Sequence, residues 1–307
     1  MIHNWIEAKL DYFRYIEKKH ITDRNKDIYY IIRRKPLWEG FFSNYFYVLS
    51  NIIYADQHGW KSVVDMQNYP TLYSEENEYH GILNSWEYYF KQPDRIHIEE
   101  AYASGNYVLS KNQYYGDLGV PVYHINQGHI TEEMVRKLYL LQSERIPVHK
   151  EILDECSSLY KKYISDQECI GVHIRGTDMN EKRKFHSIPP RIINISNKVD
   201  ELLEGRRNFR IFLCCDEIDA VNWFKEKYGD MVFSLNAYRS SGHSSVGIHK
   251  QNFNRSHHHY LLGREVLLDA LLLSKCDYLI CGVSNVTSAA VMFNNLNYKK
   301  TIVLKQR

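Results

Sequence analysis

An apolar run ends in a cation, a hydroxyl and a carboxylate at Gly171-Val172-His173-Ile174-Arg175-Gly176-Thr177-Asp178. Ile170, Gly171, Val172 and Ile174 form a short β-prone run and Gly176 breaks it, so a buried strand is expected to feed a loop there. In open α/β sheets such an exit is where ligands bind. Arg175 can clasp two phosphate oxygens, and the Thr177 hydroxyl with loop N–H groups can complete an anion site. An Arg-Asp pair that merely ties down a loop would use the same residues, and these eight alone do not choose between the two readings.

Two further strand ends in the second half finish in polar groups. Phe209 to Cys215 runs into Asp216 and Glu217, and Tyr278 to Cys281 runs into Gly282-Val283-Ser284-Asn285. In a parallel sheet all three exits share one edge and can converge on a single ligand. Ser284 and Asn285 precede a helix expected to start near Thr287, whose free N–H groups suit a phosphate; a plain N-cap by either residue is the competing reading. Asp269 lies inside the apolar stretch Val266-Leu267-Leu268-Asp269-Ala270-Leu271-Leu272. A carboxylate there needs a partner. Arg264, a backbone group, or a nucleobase with adjacent donors such as guanine would each serve.

The elements that must position these residues can be read from periodicity and breakers. Asp27 to Arg33 reads as the first strand and Tyr45 to Gln57 as a helix closed by Gly59. Trp60 to Asp65 reads as a second strand, a βαβ unit that implies a parallel sheet. Residues 66 to 126 read as loops and short helices. Thr131-Glu132-Glu133 opens a helix to about Arg145, with acidic residues matching its dipole, and a second helix runs from Val148 to Ser165. The second half alternates again: strand Cys169 to Arg175, helix Pro190 to Leu203, strand Phe209 to Cys215, helix Asp219 to Tyr228. Strand Met231 to Leu235, helix Gly263 to Ser274, strand Tyr278 to Cys281, the helix near Thr287 and strand Thr301 to Leu304 follow. The expected fold class is α/β, with an N-terminal domain over 1–165, a helical hinge near 131–165, and a Rossmann-like domain over 166–307.

Bulk properties exclude several function classes. The chain has 307 residues and a formal net charge of +2, enough for two cores but without the concentrated basic face of a nucleic-acid binder. Lys182-Arg183-Lys184, the main local excess, reads as a solvated loop or a contact to phosphate or an acidic acceptor. No stretch approaches the roughly 20 apolar residues of a membrane span, and residues 1–10 lack the layout of a secretory leader. The expectation is a soluble, cytoplasmic chain, compatible with peripheral membrane association. Six cysteines without C-x-x-C spacing read as reduced core residues. Consecutive His257-His258-His259 point in different directions and read as a helix start or surface loop rather than a zinc site.

Taken in order, four motifs carry a resemblance: Gly171 to Asp178, Phe212-Leu213-Cys214-Cys215-Asp216-Glu217, Gly263 to Asp269, and Asp277 to Asn285. They are similar to the motifs of the α1,6-fucosyltransferase and protein O-fucosyltransferase superfamily, which includes rhizobial Nod-factor fucosyltransferases. The match covers most of 169–293; Gly40-Phe41-Phe42-Ser43-Asn44 more briefly resembles the loop after the family's first strand. The resemblance implies a GT-B fold of two facing, doubly wound Rossmann-like domains. It also implies a glycosyltransferase that moves fucose from GDP-fucose, or a related sugar from a related GDP-sugar, to a hydroxyl of an oligosaccharide or glycoconjugate. Inversion at the anomeric carbon is implied, with no metal and no other cofactor.

By the same resemblance Arg175 binds the diphosphate, His173 and Asp269 help hold guanosine, Ser284 meets phosphate with Asn285 beside it, and Gly40 and Asn44 belong to the loop over the donor. Asp216 joins them at its strand end. A fixed Arg and helix-terminal N–H groups can stabilise a departing phosphate without a metal, and no Asp-x-Asp triplet occurs in the sequence. The acceptor hydroxyl needs a base; Asp178 and Glu181 are the nearest carboxylates, Asp178 also being suited to holding Arg175. Gly176 and Met179 stand where some relatives carry Arg and Lys, which leaves a catalytically inactive nucleotide- or glycan-binding protein as the alternative. A nicotinamide enzyme is disfavoured because no G-x-G-x-x-G occurs. Aromatic residues between Tyr69 and Tyr123, Trp86 among them, can stack on sugar rings or simply pack.

Overall fold

The computed structural model describes residues 16–36, 39–111, 131–175, 190–205, 208–240 and 255–304. The described residues fall into two compact units, those within Met1–Val122 with Leu140–His149 and those within Tyr123–Tyr139 with Lys150–Arg307.

The first unit is built on a four-stranded sheet of β1 (Lys18–His20), β2 (Tyr29–Ile32), β3 (Lys61–Val64) and β4 (Tyr107–Leu109), in the order β1-β4-β2-β3. β2 pairs in parallel with β3, Ile31 opposite Val63, as the βαβ reading requires. The helix between them, α1 (Phe41–Gln57), is apolar on almost every side and is accordingly buried from Phe41 through Ile52. Its interior polar groups are satisfied locally: Asn51 donates to Tyr47 O at 2.8 Å and accepts from the Tyr30 hydroxyl at 3.1 Å. Two strands depart from the expectation. β1 precedes the strand read as first, and β4 crosses the region read as loops and short helices, where α2 (Ile98–Ala103) also lies. Both strands have only three residues and β1 is exposed throughout, so neither shows a period in sequence. Their long-range pairing makes them strands.

Two helices follow, α3 (Glu132–Arg145) and α4 (Lys150–Tyr163). Arg145 ends α3 in ion pairs with Asp56 and Asp94, both 2.9 Å. The second helix begins two residues later than expected because residues 148–149 are extended, bonded to Phe90 and Tyr89.

The second unit is a doubly wound α/β sheet. β5 (Glu168–Ile174), β6 (Phe209–Cys215), β7 (Val232–Phe233), β8 (Tyr278–Cys281) and β9 (Lys300–Val303) are all parallel, ordered β7-β6-β5-β8-β9. One face buries Ile170, Val172 and Ile174 with Ile195 and Val199 of α5 (Ile192–Leu203) and Val221 and Phe224 of α6 (Ile218–Tyr228). Against the other face lie α7 (His258–Leu273) and α8 (Asn285–Asn294). There Gly171 admits a close approach, since a Cβ on it would sit 3.0 Å from Leu273 and 3.1 Å from the Cys276 sulfur. α8 starts at Asn285, two residues before the expected Thr287, because Ser284 is its cap. All six cysteines are buried and free. His257 caps α7 and His258 and His259 open it, the helix start of the sequence reading. Among the described residues no helix is long and apolar enough to cross a membrane.

Candidate functional site

The chain runs from β5 to β6 to β7 on one side, then jumps to β8 on the other side of β5 and on to β9. This reversal creates a crevice at the carboxyl ends of β5 and β8, where open α/β sheets take ligands. Strand alternation decides what faces it. With Ile170, Val172 and Ile174 in the core, Gly171, His173 and Arg175 take the opposite face.

His173 is paired across the sheet with Cys214 on β6 and Cys281 on β8, and only 5% of it is exposed. Burial, reinforced by the neighbouring Arg175 charge, pushes its imidazole down to about 3. It is therefore a neutral ring with one donor and one acceptor nitrogen. Arg175 follows at the strand's end, partly exposed. The candidate bases Asp178 and Glu181 lie outside the described residues, as do Gly176, Met179 and the Lys182 to Lys184 run.

At the exit of β8, Ser284 caps α8 in a reciprocal box. Its Oγ accepts from Thr287 N at 3.1 Å, and its own N–H donates to Thr287 Oγ1 at 3.2 Å. The capping reading is thus realised. Helix geometry still leaves the Asn285 and Val286 N–H groups without intrahelical acceptors, at the positive end of the helix dipole. The Asn285 Oδ1 is buried and has no hydrogen-bond partner among the described residues.

Asp269 projects from α7 toward β6, where its carboxyl faces the Cys214 thiol. The residue is partly buried, and its Oδ1 is sealed from solvent without a partner among the described residues. Burial raises its carboxyl to about 7, opposed by the Cys214 thiol and the Arg239 charge. The pairing with Arg264 that the sequence allowed does not form; Arg264 instead bridges to Glu155 on α4, because the two lie on facing helices. At the end of β6 the Asp216 carbonyl accepts from Ser240 N at 3.0 Å.

His173, Arg175, Asp216, Asp269, Ser284 and Asn285 therefore gather on the carboxyl edge of one sheet. Gly40 and Asn44 belong to the other unit. Gly40 is the N-cap of α1, and the buried Asn44 accepts from Arg34 at 2.9 Å. Arg34, 9% exposed, also donates to Ser43 Oγ at 3.2 Å and lies 3.7 Å from Glu39. Sequence reasoning missed Arg34 although it ends an apolar run in a cation, the signal used for Arg175. It also missed Arg239, whose partners are carbonyls invisible in sequence. Trp86 is 3% exposed and packs on Phe90, ring centroids 4.5 Å apart. A cavity of about 20 Å³ beside it has room for about one water, not a sugar ring. Packing is its role.

A family model described as Nodulation protein Z (NodZ) matches residues 128–304. Nodulation protein Z of Azorhizobium caulinodans is 26% identical over 159 residues, 48% of this chain and 44% of that protein, so the match spans less than half of the relative's length. Among solved structures, fucosyltransferase NodZ from Bradyrhizobium superposes with a TM-score of 0.51 at 15% identity, over 91% of this chain and 95% of that one. A NodZ alpha-1,6-fucosyltransferase soaked with GDP-fucose gives 0.50 at 16% identity, over 87% and 93%. An Arabidopsis thaliana FUT1 variant in complex with GDP gives 0.53 at 10%, over 94% and 73%. The fold is the α/β fold of GT-B fucosyltransferases.

Proposed function

This chain belongs to the nodulation protein Z family, and from that premise we propose that it is an inverting, metal-independent glycosyltransferase. It moves fucose from GDP-fucose, or a related sugar from a related GDP-sugar, to a hydroxyl of a glycan acceptor. The observation that carries this reading is the gathering of a neutral His173, Arg175, a sealed acceptor on Asp269 and the N-terminus of α8 at one switch point.

Each role follows from the chemistry of its group. The Asp269 carboxylate accepts from the adjacent N–H donors of guanine, which relieves its orphaned Oδ1. His173, unable to charge in the working pH range, presents a fixed donor and acceptor to the nucleoside without repelling or attracting phosphate. Arg175 holds the diphosphate bidentately. As the bond from the anomeric carbon to the β-phosphate oxygen breaks, charge grows on that phosphate. Arg175 and the first N–H groups of α8 stabilise it through positions set before the reaction begins. The acceptor hydroxyl attacks from the opposite face and loses its proton to a carboxylate, for which Asp178 and Glu181 are the candidates. We assign donor binding to residues 166–307, acceptor recognition to residues 1–165 and the hinge to 131–165; Gly40 and Asn44, expected in a loop, form the start of α1 instead, and we assign them a contribution to donor binding from there. Peripheral association of a cytoplasmic enzyme with a membrane is compatible with this reading.

Incubation with GDP-fucose and a panel of glycan acceptors, followed by mass spectrometry, tests the reading. A deoxyhexose mass added to an acceptor is the expected result. GDP binding with no transfer to any acceptor would instead favour the inactive binding protein, and absence of both binding and hydrolysis of GDP-sugars would remove the reading altogether.

A further inference from the structure

Beyond β7 the chain returns along the end of β6, and one side chain holds it there. Arg239 donates from Nε to Cys215 O at 3.1 Å, and from its two terminal nitrogens to Ala237 O at 3.1 Å and Leu235 O at 2.6 Å. Ser240 completes the strap: its N–H donates to Asp216 O at 3.0 Å, its carbonyl accepts from Ile218 N at 3.1 Å, and it bridges in parallel to Glu217. Among the described residues the three hydrogen-bond partners of the guanidinium are neutral carbonyls. Its charge is thus fixed in place without being neutralised by them.

That charge acts on Asp269. The path is short: Arg239 bonds the carbonyl of Cys215 at the end of β6, and the neighbouring Tyr238 N donates to Glu265 Oε2 at 3.5 Å, one turn before Asp269 on α7. Among the described residues the other titratable group facing Asp269 is Glu265, one turn earlier on α7, and it is held by Arg255 at 2.5 Å.

We propose that Arg239 is a positioning residue for the nucleobase end of the donor, strapping residues 235–240 to β6 and setting a fixed cation beside Asp269 so that its carboxylate meets a purine's adjacent N–H donors. This rests on the GDP-sugar reading and adds to it a residue that touches no substrate. A neutral, protonated Asp269 would offer one donor where the base needs two acceptors. Burial drives it toward that form, and Arg239 opposes burial.

Carboxyl NMR titration of Asp269 in the ligand-free protein, assigned with Asp269→Asn, reads the charge effect without any nucleotide. The midpoint is expected near 7 in the unaltered chain, higher in Arg239→Gln and in Arg239→Met, which preserves the stem, and little moved in Arg239→Lys. GDP affinity measured calorimetrically should weaken about tenfold per pH unit below each midpoint, so that the charge-less variants lose affinity at neutral pH and recover it as pH rises. Identical midpoints in the unaltered chain and both charge-less variants, or GDP weakened equally at every pH, overturn the inference and leave the GDP-sugar reading intact. Midpoints that move in a chain binding no GDP at any pH overturn that reading, and the nucleobase role with it.

Discussion

The ring of Pro190 rests directly on Gly282: a Cβ built on Gly282 would come within 2.7 Å of Pro190 Cδ. Pro190 leads into α5 and Gly282 leaves β8 toward the α8 cap, so two of the elements around the switch point meet at a contact only glycine permits. Gly282→Ala should therefore displace the proline rather than merely crowd it. Overpacking of this kind typically costs about 1–3 kcal/mol, and denaturant titration should show it. GDP affinity should fall with it.

Arg175→Ala is expected to lose a charge that matters in the transition state. By analogy with single oxyanion donors the loss is about 3–4 kcal/mol, or ~10²–10³ in kcat. Steady-state transfer from GDP-fucose checks this. Near-full activity would remove Arg175 from the mechanism.

Ser284 has a demonstrated structural task, and substitutions can separate it from contact with phosphate. Ser284→Ala removes the cap and should cost roughly 0.5–2 kcal/mol. Ser284→Asp restores a capping oxygen but places a carboxylate beside the proposed diphosphate. It should therefore regain stability and lose GDP. Equal GDP affinity in both variants would leave Ser284 a cap only.

His173 makes stability depend on pH. Its folded-state value of about 3 lies below the ordinary 6.5, so between these limits the unfolded chain binds the extra proton and the folded chain does not. Stability is therefore retained above about 6.5 and falls as the pH drops toward 3, by about 1.4 kcal/mol per pH unit at the steepest. His173→Asn should flatten that part of the dependence. Melting curves of both chains from pH 8 to pH 5 compare the slopes.

Trp86 belongs to a core rather than to an acceptor platform. Trp86→Ala should cost about 3–5 kcal/mol and show as cooperative loss of near-ultraviolet signal. Persistence of stability with a selective rise in acceptor KM would restore the stacking role.

Much of the second unit was legible because its strands are apolar runs long enough to show their limits: β6 and β8 lie at the expected residues, Phe209–Cys215 and Tyr278–Cys281. The polar residues at their ends were legible for the same reason, since a charge that follows a buried strand has few places to go. Arg239 was not, because three carbonyls hold it and a carbonyl has no signature in sequence. Nor were β1 and β4, whose three residues each become strands only when they pair with each other, Lys19 opposite Val108.

Local chemistry thus determined from sequence which residues could hold a nucleotide: an Arg and a His two apart on one strand, a carboxylate inside an apolar helix, and a Ser at a strand exit. The tertiary structure decided what each is able to do. It placed His173 between two cysteines where it stays neutral down to about pH 3, turned Ser284 into a cap, and gave Arg264 to Glu155 so that Asp269 kept an oxygen unpartnered among the described residues. Burial and partner choice depend on elements far apart in the chain, and no local pattern records them.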